Sequence, residues 1–182
     1  MRIISGKFRG TKLLSPEGLN TRPTTDRIKE TLFNIINFDL LECSFLDLFS
    51  GSGQIGIEAL SRGAKTATFV ENNKAAFAIL EKNLLKIRLQ NSAITYKIDI
   101  NEALNLIYLQ KETFDIIFMD PPYHYVNLQQ IIDFIVTNDL LTPSGKIIIE
   151  DASDANPIYN DKLILIKEKV YTTTRISIFE RI

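Results

Sequence analysis

From residue 45 to residue 150, short apolar runs alternate with amphipathic stretches, and this alternation limits the fold more than any other feature of the chain. Strands are expected at 45–49, 66–71, 93–98, 114–119 and 145–150, with helices at 54–62, 73–88, 100–110 and 127–138. The central runs are short and mostly apolar, as buried parallel strands should be. Strands separated by helices imply a mostly parallel central sheet with helices covering both faces, an α/β fold. After residue 150 the rhythm changes. Segments 162–170 and 173–181 read as consecutive strands around a tight turn, which adds an antiparallel pair at the edge of the sheet.

The 182 residues suit one domain with a small appendage. Residues 1–14 read as a short hairpin around Ser5-Gly6-Lys7, and residues 15–23, with Pro16, Gly18 and Pro23, as a loop. Thr24-Thr25-Asp26 supplies N-cap chemistry for a helix whose Ile28, Leu32 and Ile35 form one apolar face. The expected division is therefore 1–40 as hairpin, loop and helix, and 41–182 as the ligand-binding and catalytic domain. One Cys (Cys43) and one His (His124) exclude an internal disulfide, a Cys-based zinc cluster and a multi-histidine site, so no metal is expected. No apolar run approaches the roughly 18 residues of a membrane span, and the N-terminus has no secretory h-region. A cytoplasmic location, without a membrane partner, is the expectation, and monomer is the default.

The first strand runs into Asp47-Leu48-Phe49-Ser50-Gly51-Ser52-Gly53-Gln54-Ile55-Gly56, which holds three of the eight glycines in six residues. Glycines between a strand and a helix let the backbone turn sharply and approach a ligand, and the last lets the helix pack on the sheet. The GxGxxG spacing alone would equally suit a dinucleotide. Asp47, just before the glycines, can meet a cationic or amine-bearing group. Glu71, at the end of the next strand, is placed to accept from ribose hydroxyls, which fits any nucleoside. Asp99 ends the third strand at the same edge, where it can accept from an adenine amino group or simply cap the following helix.

The strand at 114–119 runs into Asp120-Pro121-Pro122-Tyr123. Two prolines remove two donors and stiffen the backbone, and Asp120 is acceptor-only when ionised. The segment therefore presents rigid acceptors beside an aromatic ring. The exocyclic amine of a base fits it: its hydrogens go to the Asp120 carboxylate and the Pro121 carbonyl, and Tyr123 stacks on the ring. Holding those hydrogens favours rehybridisation of the nitrogen as it attacks.

Together, the glycine-rich turn, Glu71, Asp99 and Asp120-Pro121-Pro122-Tyr123 resemble the class I S-adenosylmethionine-dependent amine methyltransferases, which have a Rossmann-like fold. Over nearly the whole chain the sequence is similar to the RsmD family of 16S rRNA (guanine-N(2))-methyltransferases. The segments that carry this are Met1-Arg2-Ile3-Ile4-Ser5-Gly6-Lys7-Phe8-Arg9-Gly10, Arg22-Pro23-Thr24-Thr25-Asp26-Arg27, the glycine-rich turn, Glu58-Ala59-Leu60-Ser61-Arg62-Gly63-Ala64, the Asp-Pro-Pro-Tyr segment and Arg175-Ile176-Ser177-Ile178-Phe179. The first two are the specific ones. Tyr171-Thr172-Thr173-Thr174 departs from the pattern by lacking a glycine in the last hairpin turn, and the loop after Tyr123 is short. The resemblance implies S-adenosylmethionine as cofactor, with Asp47, Gly51 and Gly53 around its methionine part, Glu71 on the ribose, Asn72 beside the adenine and Asp99 at the adenine amine. Phe49, Ser52 and Ile100 complete the candidate cofactor set. Asp120, Pro121, Pro122 and Tyr123 are the candidate catalytic residues. The implied partner is 16S rRNA, free or in a small-subunit assembly particle. Two other substrates stay open on the motif alone, an adenine or cytosine amine in DNA and a glutamine amide in a protein.

The net charge of −1 hides an uneven distribution: residues 1–29 carry seven basic and two acidic side chains, and the rest carries net −6. A basic arm suits phosphate contacts. Lys7, Phe8, Arg9, Arg22, Thr24, Thr25 and Arg27 are the candidate RNA-binding residues, with Phe8 available to stack on a base. The segment 22–27 is also placed to close over the cofactor pocket. His124 and Cys43 are read as having no catalytic part.

Overall fold

The computed structural model describes residues 1–15, 26–122 and 125–182, with only the backbone of Asp26 and Arg27. The chain runs α1 (Asp26–Ile35), β1 (Ser44–Leu48), α2 (Gln54–Ser61), β2 (Thr66–Val70), α3 (Lys74–Lys86), β3 (Ala93–Tyr96), α4 (Ile100–Gln110), β4 (Phe114–Met119), α5 (Leu128–Thr137), β5 (Leu141–Ala152), β6 (Leu163–Val170) and β7 (Thr174–Arg181). The seven strands form one sheet in the order β3-β2-β1-β4-β5-β7-β6. The first five pair in parallel, β7 runs antiparallel to β5, and β6 antiparallel to β7. The expected α/β architecture with an antiparallel C-terminal pair is the one observed. The order reverses between β1 and β4, so the loops leaving those strands part and leave a crevice at their C-terminal ends.

Alternate residues of each central strand feed two cores. Phe45, Phe69, Ile116, Phe118 and Ile148 pack with α1, α2 and α3, and that cluster also takes in Ile3 and Leu13 from the N-terminal arm. Leu46, Leu48, Val70, Ile117, Met119, Ile147 and Ile149 pack with α4 and α5 on the other face. Asp47 and Asp120 fall in the alternation on the α2 side. Glu150 does too.

Several boundaries differ from expectation for local reasons. The N-terminal hairpin is reduced to a single antiparallel bridge, Arg2 with Lys12, because residues between them turn to bond α2 instead of extending as strands. In α1 and the residue just after it, Phe33 and Ile36 are fully buried whereas Ile35 is half-buried, so the apolar face is rotated from the 28–32–35 line. β3 stops at Tyr96. β5 begins at Leu141, four residues early, because a register shift between Phe114 and Ile116 absorbs Pro143-Ser144-Gly145 within the strand. The β6–β7 turn closes with Tyr171 N–H donating to the Thr174 carbonyl at 2.7 Å, and no residue in it has positive φ, so it needs no glycine. Among the described residues no helix is long and apolar enough to cross a membrane.

Candidate active site

The glycine-rich turn is built from three different demands. Phe49, directly after β1, has φ +64°, a strained conformation for a bulky residue. Ser50 fastens the turn to β2: its hydroxyl donates to the Asp47 carbonyl at 2.5 Å and accepts from Val70 N–H at 2.9 Å. A Cβ at Gly51 would meet no atom within 4 Å, so this glycine borders open space, whereas a Cβ at Gly53 would lie 2.3 Å from Leu80 Cδ1 and one at Gly56 2.3 Å from Phe69 Cε1. Gly51 thus opens the cradle, and Gly53 and Gly56 let α3 and β2 pack close beneath it.

Asp47 is buried (1% exposed), and its Oδ2 accepts from Gly56 N–H at 2.9 Å, pinning the first turn of α2. Burial raises its carboxyl from the ordinary range to about 7; the Gly56 bond works against this and the Glu71 charge adds to it. Glu71 lies one residue past β2. Its Oε2 accepts from Gly51 N–H and its Oε1 from Asn73 N–H, both at 2.7 Å. The carboxylate therefore touches the turn itself and keeps lone pairs for further donors. Asn72 beside it is exposed.

Asp99 is the N-cap of α4, accepting from Asn101 N–H at 2.8 Å and Asn101 Nδ2 at 3.0 Å, so it caps the helix while staying exposed at the crevice. Ile100 behind it is buried. The Phe49 ring meets Tyr125 edge-on, with centroids 5.2 Å apart. Burial and the nearby Asp99 charge push the Tyr125 phenol up. Phe49, Tyr125, Asp99 and Ile100 thus form one wall of the crevice. Sequence reasoning missed Tyr125; its only signal was an aromatic two residues past the Asp-Pro-Pro-Tyr segment.

β4 pairs Met119 with Leu48 of β1 and Ile149 of β5, so Asp120 emerges between the glycine-rich turn and Glu150. Burial raises the Asp120 carboxyl well above the usual range, and the like charges of Glu150 and Asp47 raise it further. Glu150, 7% exposed, was also missed, since in sequence it reads only as the acid ending a strand. Pro121 is buried, and the Pro122 carbonyl accepts from Tyr125 N–H at 3.1 Å, turning the chain back toward Phe49. Tyr123 and His124 lie outside the described residues, as do Arg22, Thr24, Thr25 and the Arg27 side chain.

The arm is tied to the domain by a fully buried carboxylate. Glu58 accepts from Ile4 N–H at 2.8 Å, Ser5 N–H at 3.0 Å and Arg62 Nε at 2.8 Å, with Lys29 Nζ at 3.7 Å. Lys7 and Arg9 are exposed. Phe8 leans half-buried on the core, its N–H on Ser61 Oγ and Lys7 Nζ 5.5 Å from its ring centroid. Lys29, counted in the basic arm, is 0% exposed and spent on Glu58 and the Arg2 carbonyl, so it is not available to RNA.

A sheet of this order, with a glycine turn and an acid on the adjoining strand, is that of the class I methyltransferases. The model of the family described as conserved hypothetical protein 95 matches residues 1–180, and the chain belongs to this family, that of the RsmD proteins. The Haemophilus influenzae protein named ribosomal RNA small subunit methyltransferase D is 39% identical over 175 residues, 93% of this chain and 88% of that protein. The Escherichia coli protein of the same name is 33% identical over all of this chain and 90% of its own length. The solved structure of Escherichia coli yhhF has a TM-score of 0.87 at 35% identity, covering 100% of this chain and 97% of that one.

Proposed function

We propose that this chain transfers a methyl group from S-adenosylmethionine to the exocyclic N2 amine of a guanine in 16S rRNA. The observation that carries the reading is the emergence of Asp120-Pro121-Pro122 directly beside the glycine-rich turn, at the point where the strand order reverses. Membership of a family whose relatives are named as small-subunit rRNA methyltransferases supports the substrate.

The cleft suits the cofactor. The space over Gly51 gives it a cradle, Glu71 offers acceptors to ribose hydroxyls, and Asp99 with the Phe49–Tyr125 wall suits an adenine. S-adenosylmethionine, when bound, supplies an electrophilic methyl group on a sulfonium centre. Asp120 then accepts hydrogens of the target amine and orients its lone pair. The burial that raises the Asp120 pKa also strengthens it as an acceptor, and equips it to take the proton that the amine must lose. The base has to leave its stack to reach this depth, so a guanine in a loop or flipped from a helix is the substrate. Lys7 and Arg9, with Arg22 and Arg27, are assigned to phosphates.

The test is a transfer assay with labelled cofactor on 16S rRNA and on 30S subunits from cells lacking the protein. Label is expected in 16S rRNA, recovered as N2-methylguanosine after digestion. Label only on DNA or protein would sink the reading. In the same assay Asp120→Ala is expected to abolish transfer while calorimetry shows cofactor affinity nearly intact.

A further inference from the structure

The arm and the glycine-rich turn are held by one side chain that no motif singles out. Asn83 of α3 is 0% exposed. Its Oδ1 accepts from Leu14 N–H at 2.7 Å, and its Nδ2 donates to the Leu14 carbonyl at 3.1 Å and to the Ser52 carbonyl at 2.9 Å. The carboxamide pairs with Leu14 as a neighbouring strand would, and spends its second N–H on the turn.

Positions three residues before and after it on α3 extend the contact. Leu80 Cδ1 fills the space a Cβ at Gly53 would need, and Lys86 Nζ donates to the Lys12 carbonyl at 2.6 Å. Leu80 therefore touches the turn, Asn83 both turn and arm, and Lys86 the arm. The arm also reaches back, since Ser52 Oγ donates to Met1 Sδ at 3.5 Å. An aliphatic side chain of similar size would fill the space but leave the Leu14 N–H, the Leu14 carbonyl and the Ser52 carbonyl without this partner, so the position calls for an amide because it joins the two segments. An amide whose oxygen and both N–H groups are engaged fixes one relative placement of the two segments it joins.

We propose that Asn83 is a positioning residue that makes the arm and the glycine-rich turn a single unit, so that cofactor binding at the turn and RNA binding at the arm strengthen each other. The inference rests on the function proposed above. Ordering the turn around the cofactor orders Ser52, and through Asn83 it orders Leu14 and the arm. By linkage, RNA held on the arm tightens the cofactor by the same factor.

The first measurement uses the unaltered protein: hydrogen exchange of residues 1–14 with and without S-adenosylhomocysteine. Slower exchange at Ile3, Gly10, Leu13 and Leu14 is expected on binding. The second is the Kd for a 16S rRNA transcript with and without S-adenosylhomocysteine. The ratio is expected to be about fivefold or more in the native protein and close to one in Asn83→Ala. A purely structural role would weaken both affinities and leave the ratio unchanged, which would overturn the proposal. If Asn83→Ala does not fold, the exchange experiment decides alone. S-adenosylhomocysteine that binds without slowing exchange in the arm overturns the coupling but not the cofactor reading. Failure of S-adenosylhomocysteine to bind the native protein at all overturns both.

Discussion

Asp47 ties the first turn of α2 to the strand before it, at the cost of enclosing an acid. Its carboxyl is fully enclosed, and burial pushes it up to about 7 from the ordinary 3.8 of an exposed aspartate. Between these values the folded chain holds a proton that the unfolded chain has released. Stability from this group is therefore complete below about pH 4 and is lost as the pH rises through 7. Asp47→Asn keeps an oxygen for Gly56 N–H and cannot ionise. Urea unfolding across that range is expected to show the variant gaining on the native protein as pH rises, by a few kcal/mol on the order of the linkage limit. A difference that is flat with pH would mean the native carboxylate is ionised throughout. Sequence placed Asp47 at the mouth of the turn but could not show it enclosed. Enclosure comes from the first turn of α2 folding over it, and depends on Gly56 fitting against Phe69. The same holds for Asp120: its position at a strand end was legible, whereas the neighbouring Glu150 charge depends on β4–β5 register, for which there is no local signal.

At the level of elements, the central strands were legible because burial on both faces writes a short, mostly apolar run, which explains why β1, β2 and β4 fall within a residue of expectation. The attachment of the arm was not legible. Glu58 reads locally as a surface acid on an amphipathic helix, and Lys29 as one more basic residue in a positive segment. Each takes its meaning from a partner 29 or more residues away, and folding removes both from water. Arg62 completes the arrangement, on Glu58 Oε1 and 4.8 Å from the Phe33 ring centroid. Gly6 is similarly explained only in the fold, since a Cβ there would sit 1.8 Å from the Ser61 carbonyl oxygen. Removing one member of a buried ion cluster strands the others, so Glu58→Ala is expected to cost about 3–5 kcal/mol in urea unfolding. Replacing Glu58 and Lys29 together by apolar residues should cost less than the sum of the two single changes. Additive losses would mean that the two groups do not interact.

For the whole molecule, the near-neutral total charge conceals a division of labour. The acids Asp47, Glu71, Asp99, Asp120 and Glu150 gather at the C-terminal edge of the parallel strands, while exposed Arg2, Lys7, Arg9 and Lys12 lie on the arm across α2 and α3. This arrangement decides how the arm should be tested. Deleting residues 1–14 would remove Ile3 and Leu13 from the core and the partners of Glu58 and Asn83, so a loss of RNA binding could reflect unfolding. Changing Lys7, Arg9 and Lys12 to alanine removes three charges and leaves the buried residues and backbone hydrogen bonds in place. If each contacts one phosphate of a single strand, the slope of log K against log salt should become shallower by about 2. The circular dichroism melt of the triple variant should match that of the native protein. A slope that does not change would assign the arm a structural role alone and place the RNA on another surface.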